Sequence, residues 1–516
     1  MAKKYLAGID IGTTGAKAII FDLQGAVLGS GYREYPCTYP KPGWVEQDAP
    51  LIVAQMMEAA QEAIAKAGVN PKEIAAVSFS AQRCCTILLD QHGDLIRPMI
   101  SWQDNRTPAE VADIRAKISD EDYHQITGFP NNTTWMLSKM LWLRKNEPQH
   151  WAKAAKVVQA HDYALHAMGV EEYVNDVSDA RYYGFWDPYA FQWNSTLLDL
   201  FELDPAILPK PMPSCTPVGV VSKAAAAKSG FAAGTPICVG AGDQNSAAVG
   251  AGVVNPGDAS VSMGTAGAAV AYVDYPFRDP HKITFVTDHA IYGKWLLEGY
   301  QAGAAGVYRW FRDEVATLEK AQAQAQGRDV YEFLNQLVAN TPPGAKGLVF
   351  LPYLASAATP RWNPAARGTL AGLTFAHDRG CLARAFMEGI TLDMRDMLQS
   401  MINSGITISN IRILGGTTKS PLWNQMQADI YNRRVETLKT TDAAVVGAAI
   451  IAGVGAGVFA DIREGVAQMV AVDQHYEPIP EHVKIYDDLY DIFCRMYAGL
   501  DEQGVFRSLA KIQENS

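Results

Sequence analysis

Apolar and polar positions alternate along residues 4–21, and the alternation breaks at Gly12-Thr13-Thr14-Gly15. This predicts two strands joined by a tight turn. A second turn at Gln24-Gly25 and a further alternating run over residues 26–35 complete a three-strand meander. Apolar residues at helical spacing over residues 50–68, closed by Gly68, predict a helix. Residues 74–80 and 86–90 read as short strands, and residues 108–118 and 137–145 as helices.

The opening pattern returns later. Residues 236–242 form an apolar run ending in Ala241-Gly242-Asp243. Residues 258–273 then read strand, turn, strand around Gly264-Thr265-Ala266-Gly267. Residues 382–401 predict an amphipathic helix, and residues 411–414 a strand running into Gly415-Gly416-Thr417-Thr418. The segment from residue 477 reads as helix packed on the second half. Two copies of a strand–turn–strand unit predict a duplicated α/β fold with a cleft between its halves. The expected division is residues 1–250 and 251–516. Residues 443–460 carry no charge and are long enough to span a bilayer. Their alanines and glycines favour a buried helix in close contact with other backbone instead.

Bulk properties narrow the function. The chain of 516 residues is 48% hydrophobic and 19% charged, with net charge −11. No basic run exists to bind nucleic acid. Seven cysteines without a C-x-x-C pair argue against a disulfide framework or a structural zinc. Reduced thiols and the lack of a signal-peptide core before residue 5 point to the cytoplasm. The adjacent Cys84-Cys85 pair reads as lining more readily than as a redox switch. The ten histidines show no metal spacing, and His161 and His289 read as structural.

Three turns suggest phosphate chemistry. Asp10 stands where a dinucleotide fingerprint needs glycine, and Lys17 does not follow a P-loop glycine. What survives is a hairpin turn whose N–H groups and hydroxyls at Thr13 and Thr14 hold phosphate, with Asp10 facing magnesium through water. A plain glycine hairpin explains the local sequence equally well. The second turn, with Gly264 and Thr265, would supply donors from the other side. Gly415, Gly416 and Thr417 could let a nucleoside lie on the backbone, or could simply begin a helix. Asp243 ends an apolar strand and begins a helix, where ligands bind open α/β sheets, although an aspartate there can equally be a cap. Gln82, Arg83, Cys84, Trp102 and Asp104 have the polar and aromatic character of a sugar wall.

Together these motifs resemble the FGGY carbohydrate kinases, over roughly residues 5–460. The matching stretches are residues 8–15, 42–48, 240–244, 262–265, 368–374, 382–385 with Glu388-Gly389, and Gly415-Gly416. The resemblance implies two ribonuclease-H-like (actin-like ATPase) domains around a cleft, ATP with Mg2+, and transfer to a terminal sugar hydroxyl. It implies that Asp243 is the general base and Asp10 the magnesium-side carboxylate. It adds Lys17, Gly306 and Ser420 to the ATP site and Gln244 to the substrate site, and allows a homodimer. Arg83 and Gln244 match glycerol kinases, whereas residues 102–106 match the W-x-D-x-R pattern of xylulokinases. The expected substrate is a ketopentose such as D-xylulose. Glycerol or another polyol, an autoinducer precursor, and a non-kinase actin-like ATPase or regulatory protein are the alternatives.

Overall fold

The computed structural model describes residues 3–514. The meander forms as expected: β1 (Tyr5–Ile11), β2 (Gly15–Asp22) and β3 (Val27–Glu34) pair antiparallel in order. The helix α1 (Ala49–Ala67) follows. Asp48 caps its start, and Gly68 ends it at a φ of 64° that favours glycine. Its alanine face packs on β3. A Cβ at Gly29 or Gly31 would sit 2.3 or 2.1 Å from the backbone oxygens of Ala63 and Ala59.

The strand β4 (Ile74–Ala81) pairs parallel to β1 and is buried along its whole length, as a central parallel strand requires. An antiparallel pair, β5 (Pro217–Val220) and β6 (Pro236–Cys238), extends the sheet beyond β4. The single strand expected over residues 236–242 is in fact two. After β6 the chain bends at Gly240 and resumes as β7 (Ala241–Gly242), again against β4. A Cβ at Gly240 would lie 1.7 Å from the Phe79 oxygen, so only glycine permits this approach. The helix α2 (Asp243–Gly250) starts directly after β7.

The second sheet repeats the plan. Strands β8 (Gly257–Met263) and β9 (Gly267–Val273) flank the second turn, and β10 (Phe285–Asp288) and β11 (Trp295–Gln301) follow antiparallel. The long helix α3 (Arg379–Asn403) leads to β12 (Ile408–Leu414), which pairs parallel to β8. After α4 (Pro421–Tyr431), β13 (Arg434–Leu438) pairs parallel to β12. The orders β3-β2-β1-β4-β6 and β11-β9-β8-β12-β13 are the same path walked twice. This is the ribonuclease-H-like, actin-like arrangement.

The helix α5 (Ala443–Gly455) is buried over most of its length and lies between the sheets. Val445, Val446, Ala449 and Ile450 pack with Leu6, Ile19 and Phe21 of the first sheet. Ala443 packs with Val270, Leu296 and Leu414 of the second. The helix therefore spans 13 residues, shorter than the uncharged run that suggested it, and among the described residues no helix is long and apolar enough to cross a membrane. Small residues set its distance from α2, because a Cβ at Gly447 would sit 1.9 Å from the Ser246 oxygen. After the edge strand β14 (Val472–Tyr476), helices α6 (Pro480–Glu502) and α7 (Val505–Glu514) close the chain. Tyr486, Phe493 and Phe506 join the core of the second sheet, as the sequence suggested.

Candidate active site

The first turn is held by its own backbone: Gly12 N–H donates to the Gly15 oxygen at 3.0 Å, and the Tyr35 hydroxyl donates to the Gly12 oxygen at 2.5 Å. Thr13 is joined to two further loops. Its oxygen accepts from Gln47 Nε2 at 2.8 Å, and its hydroxyl accepts from Trp102 Nε1 at 2.8 Å. Gln82 Nε2 in turn donates to Gln47 Oε1 at 3.1 Å. A chain of amides thus links Gln82 to the first turn. Trp102 spends its polar edge on this link. Thr14 stays exposed at the tip.

Asp10 ends β1 beside this turn. Ser80 donates to its Oδ1 at 2.7 Å. Burial pushes its carboxyl up to about 7, the Ser80 bond opposes the shift, and the charges of Asp243 and Asp442 add to it. Lys17 lies opposite Asp10 in the β1–β2 register but pairs with Asp442 Oδ1 at 2.6 Å. The lysine expected on ATP is therefore engaged with the segment that begins α5.

Asp243 is the first residue of α2, and Gly242 is its cap, without a side-chain bond. The cap reading of Asp243 is thus not what the geometry shows. Its Oδ1 accepts from Arg83 Nε at 2.8 Å and from its neighbour's N–H, that of Gln244, at 2.7 Å. One third of the side chain stays exposed. Burial raises its carboxyl above the usual range, and Arg83 opposes this. Behind it, Ser178 Oγ accepts from Gly242 N–H at 3.1 Å and His161 Nε2 from Gly240 N–H at 3.1 Å. His161 is therefore structural, as expected. His289, buried and held near 4 by desolvation, braces the Val253 oxygen.

Arg83 reaches further than its neighbours suggested. Nη1 and Nη2 donate to both oxygens of Glu298 at 2.9 Å, and Nη1 also meets the Tyr182 hydroxyl. Cys84 follows with a φ of 62°, in the left-handed region. Its N–H donates to Gln159 Oε1 at 2.8 Å and its oxygen accepts from the buried Lys139 at 3.0 Å. The same ammonium donates to the Ser101 oxygen at 2.9 Å, binding the segments that follow Arg83 and precede Trp102 together. The Cys84 side chain packs with Phe129, Trp135 and Tyr182. Phe285 of the second sheet faces that group, with its ring centroid 5.8 Å from Trp135. Burial drives both adjacent thiols away from thiolate, Cys85 up to about 12.

Asp104 departs from expectation. It is fully buried, and its oxygens accept from Val45 N–H at 2.6 Å and from Arg106, with Nε at 2.9 Å and Nη2 at 2.7 Å. It is taken up by these bonds and holds the loop that carries Trp102.

The second turn mirrors the first. Gly264 N–H donates to the Ala266 oxygen at 2.9 Å, leaving Gly264 and Thr265 exposed. The Thr265 oxygen accepts from Ala304 and Gly306 N–H at 3.1 and 3.3 Å, and a Cβ at Gly306 would lie 2.6 Å from it. Gly306 is therefore brought to this turn. Gly415 adopts φ 91° against the Met263 oxygen, while a Cβ at Gly416 would meet nothing within 4 Å. The open face of Gly416 and the unpartnered buried hydroxyl of Thr417 leave room and a donor for a nucleoside. Ser420 caps α4 and donates to Asn335 Oδ1 at 3.2 Å. Among the described residues no group of three or more acidic, histidine or cysteine side chains could hold a metal ion unaided. One carboxylate, Asp10, suits an ion that arrives with nucleotide phosphates.

Sequence reasoning did not reach Glu298, Tyr182, Asp442 or Phe285. The Trp295–Gln301 strand was the only signal for Glu298: a charged residue inside an otherwise buried run.

Residues 5–250 match the N-terminal domain of the FGGY family of carbohydrate kinases and residues 259–456 its C-terminal domain. The chain is 30% identical to a xylulose kinase of Bacillus subtilis (strain 168), over 96% of this chain and 97% of that enzyme. It is 29% identical to a gluconokinase of the same organism, over 97% and 96%. The crystal structure of a xylulose kinase from Rhodospirillum rubrum superposes with a TM-score of 0.88 at 28% identity, covering 98% of this chain and all of that one.

Proposed function

The chain belongs to the FGGY family of carbohydrate kinases, and from that premise we propose that it moves the γ-phosphate of ATP to a terminal hydroxyl of a ketopentose such as D-xylulose. It is a sugar kinase, and ATP is the donor that membership implies. The observation that supports the finer reading is Asp243, a partly exposed carboxylate at the start of α2, raised by burial and paired with Arg83.

The sugar oxygen attacks the γ-phosphorus. Its proton passes to the Asp243 carboxylate, the bond to the bridging β-oxygen breaks, and ADP leaves with that electron pair. Gly264, Thr265, Thr13 and Thr14 would hold phosphate oxygens from opposite sides. Mg2+, when bound with the nucleotide, neutralises charge on those oxygens, and Asp10 would face it through water. Gly415, Gly416 and Thr417 would seat the nucleoside, with Gly306 and Ser420 shaping the turns beside it. Gln82, Arg83, Trp102 and Gln244 would orient the sugar, with Cys84 lining its wall and Asp104 fixing the Trp102 loop.

The charge around the base bears on the substrate. One cation, Arg83, stands against two carboxylates, Asp243 and Glu298. A net negative pocket disfavours an anionic sugar acid and suits a neutral ketose or polyol. We place the enzyme in the cytoplasm, acting without nucleic acid or membrane, and a homodimer is compatible with the family.

An ADP-release assay across D-xylulose, D-ribulose, L-ribulose, L-xylulose, glycerol, erythritol, gluconate and the autoinducer precursor tests this reading. We expect a ketopentose to stimulate most. Stimulation by glycerol or gluconate above every ketose would overturn the substrate, and no stimulation by any sugar would overturn the assignment of Asp243 as base.

A further inference from the structure

Arg83 is a single cation shared by two carboxylates, one at the start of the helix that follows the first sheet and one in a strand of the second. Nε serves Asp243 at 2.8 Å, while the two terminal nitrogens grip Glu298 at 2.9 Å each. The two-pronged geometry matches a guanidinium to one carboxylate and leaves the other a single N–H. The Tyr182 ring lies under the guanidinium, 4.6 Å from its centroid, and fixes its plane. Glu298 is only 10% exposed, so this is a built contact.

The position of Glu298 matters as much as its charge. It sits in β11, opposite Val270 on one side and Phe285 on the other. That strand ends at Gln301, whose amide donates to Asp393 at 2.9 Å and to the Ile390 oxygen at 3.0 Å. The chain then passes directly to Ala304 and Gly306, whose N–H groups hold the Thr265 oxygen. Base, arginine, strand and second phosphate turn are thus one continuous connection across the cleft.

We propose that Glu298 is a positioning residue for phosphoryl transfer: it holds Arg83 off the face of Asp243 and couples the sugar wall to the second phosphate turn. This rests on the kinase reading above. Without Glu298, both prongs of Arg83 would turn to Asp243 and leave it a weaker base. The charged or titratable groups facing Asp243 are Arg83 and Glu298, with Asp10, Asp179, Cys85 and Tyr182 behind them. Of these, Glu298 is the carboxylate whose charge pushes the Asp243 proton affinity upward most. Its removal therefore shifts the base toward lower pH.

Glu298→Gln, with Glu298→Asp as the conservative control, tests the assignment. In Glu298→Gln we expect kcat to fall roughly 10- to 100-fold, the scale of a misplaced reacting group, with little change in the KM for ATP. The acid limb of kcat/KM should move to lower pH, and Glu298→Asp should recover part of kcat. A fall in kcat with the acid limb unmoved would reduce Glu298 to a structural prop and overturn the proposal. Hydrogen exchange on the unliganded protein gives a readout independent of turnover. Faster exchange over residues 264–267 and 301–306 in Glu298→Gln supports the coupling, and unchanged exchange overturns it. If no sugar is phosphorylated by the wild type, the kinase reading fails, while exchange still decides whether Glu298 ties the two segments.

Discussion

Lys17 Nζ and Asp442 Oδ1 are 2.6 Å apart, although 425 residues separate them in the chain. The pair joins the strand behind the first turn to the start of the helix between the sheets. Each side chain is about one third exposed, so water screens the pair strongly.

A double-mutant cycle on Lys17→Met and Asp442→Asn should therefore give a coupling of at most about 1 kcal/mol in urea unfolding. Because Asp442 already holds the ammonium, both single variants should raise the KM for ATP by similar factors. A rise in Lys17→Met alone would show that Lys17 acts on phosphate directly.

Asp243→Asn keeps the shape of the side chain and its bond from Gln244. We expect unchanged circular dichroism and a loss of turnover of roughly 10²- to 10⁴-fold, the usual contribution of a general base. Turnover near wild type would remove Asp243 from the mechanism.

Asp10 places function and stability in opposition. Its folded value of about 7 lies above the ordinary 3.8, so the folded state favours the proton. The resulting stabilisation is complete below pH ~4 and is lost as pH rises through about 7. Asp10→Asn is never charged, so its advantage in urea unfolding should grow between pH 4 and 7 and then level off. Partial exposure limits that advantage to roughly 2–4 kcal/mol. The same variant should lose most phosphoryl transfer and its dependence on Mg2+. Equal stability of the two proteins at pH 8 would refute the burial argument.

Gly447 and Ser246 approach too closely for any side chain, since a Cβ would sit 1.9 Å from the Ser246 oxygen. Gly447→Ala should cost about 1–3 kcal/mol by forcing α2 and α5 apart. Because α2 begins with Asp243, turnover should fall as well. A melting curve together with the ADP-release rate checks both effects, and wild-type values for the two would contradict the packing.

Much of this was legible in the sequence, for local reasons. The meander, both turns and Gly68 announce themselves because alternation and glycine punctuation are local signals. Asp243 and Asp10 could be found for the same reason, each standing at a strand end beside glycines. Arg83 was recognisable, but its partner was not: Glu298 lies 215 residues away in an apolar strand, and no local pattern pairs them. Asp104 misled for the converse reason. Its spacing from Trp102 suggests a sugar contact, yet Arg106 two residues on folds back and takes its oxygens. Gly240 broke an apparently continuous strand because its contact, the Phe79 oxygen, is remote in sequence.

The helix between the sheets also bears on how the chain is made. Leu6, Ile19 and Phe21 are covered by Val445, Val446, Ala449 and Ile450, so one face of the first sheet waits for residues made much later. At ordinary synthesis rates the roughly 420 residues between the two halves of that contact take on the order of 20–80 s to appear. Throughout that interval the nascent first sheet presents bare apolar surface, which makes it a natural client for ribosome-associated chaperones and a point at which truncated chains would aggregate.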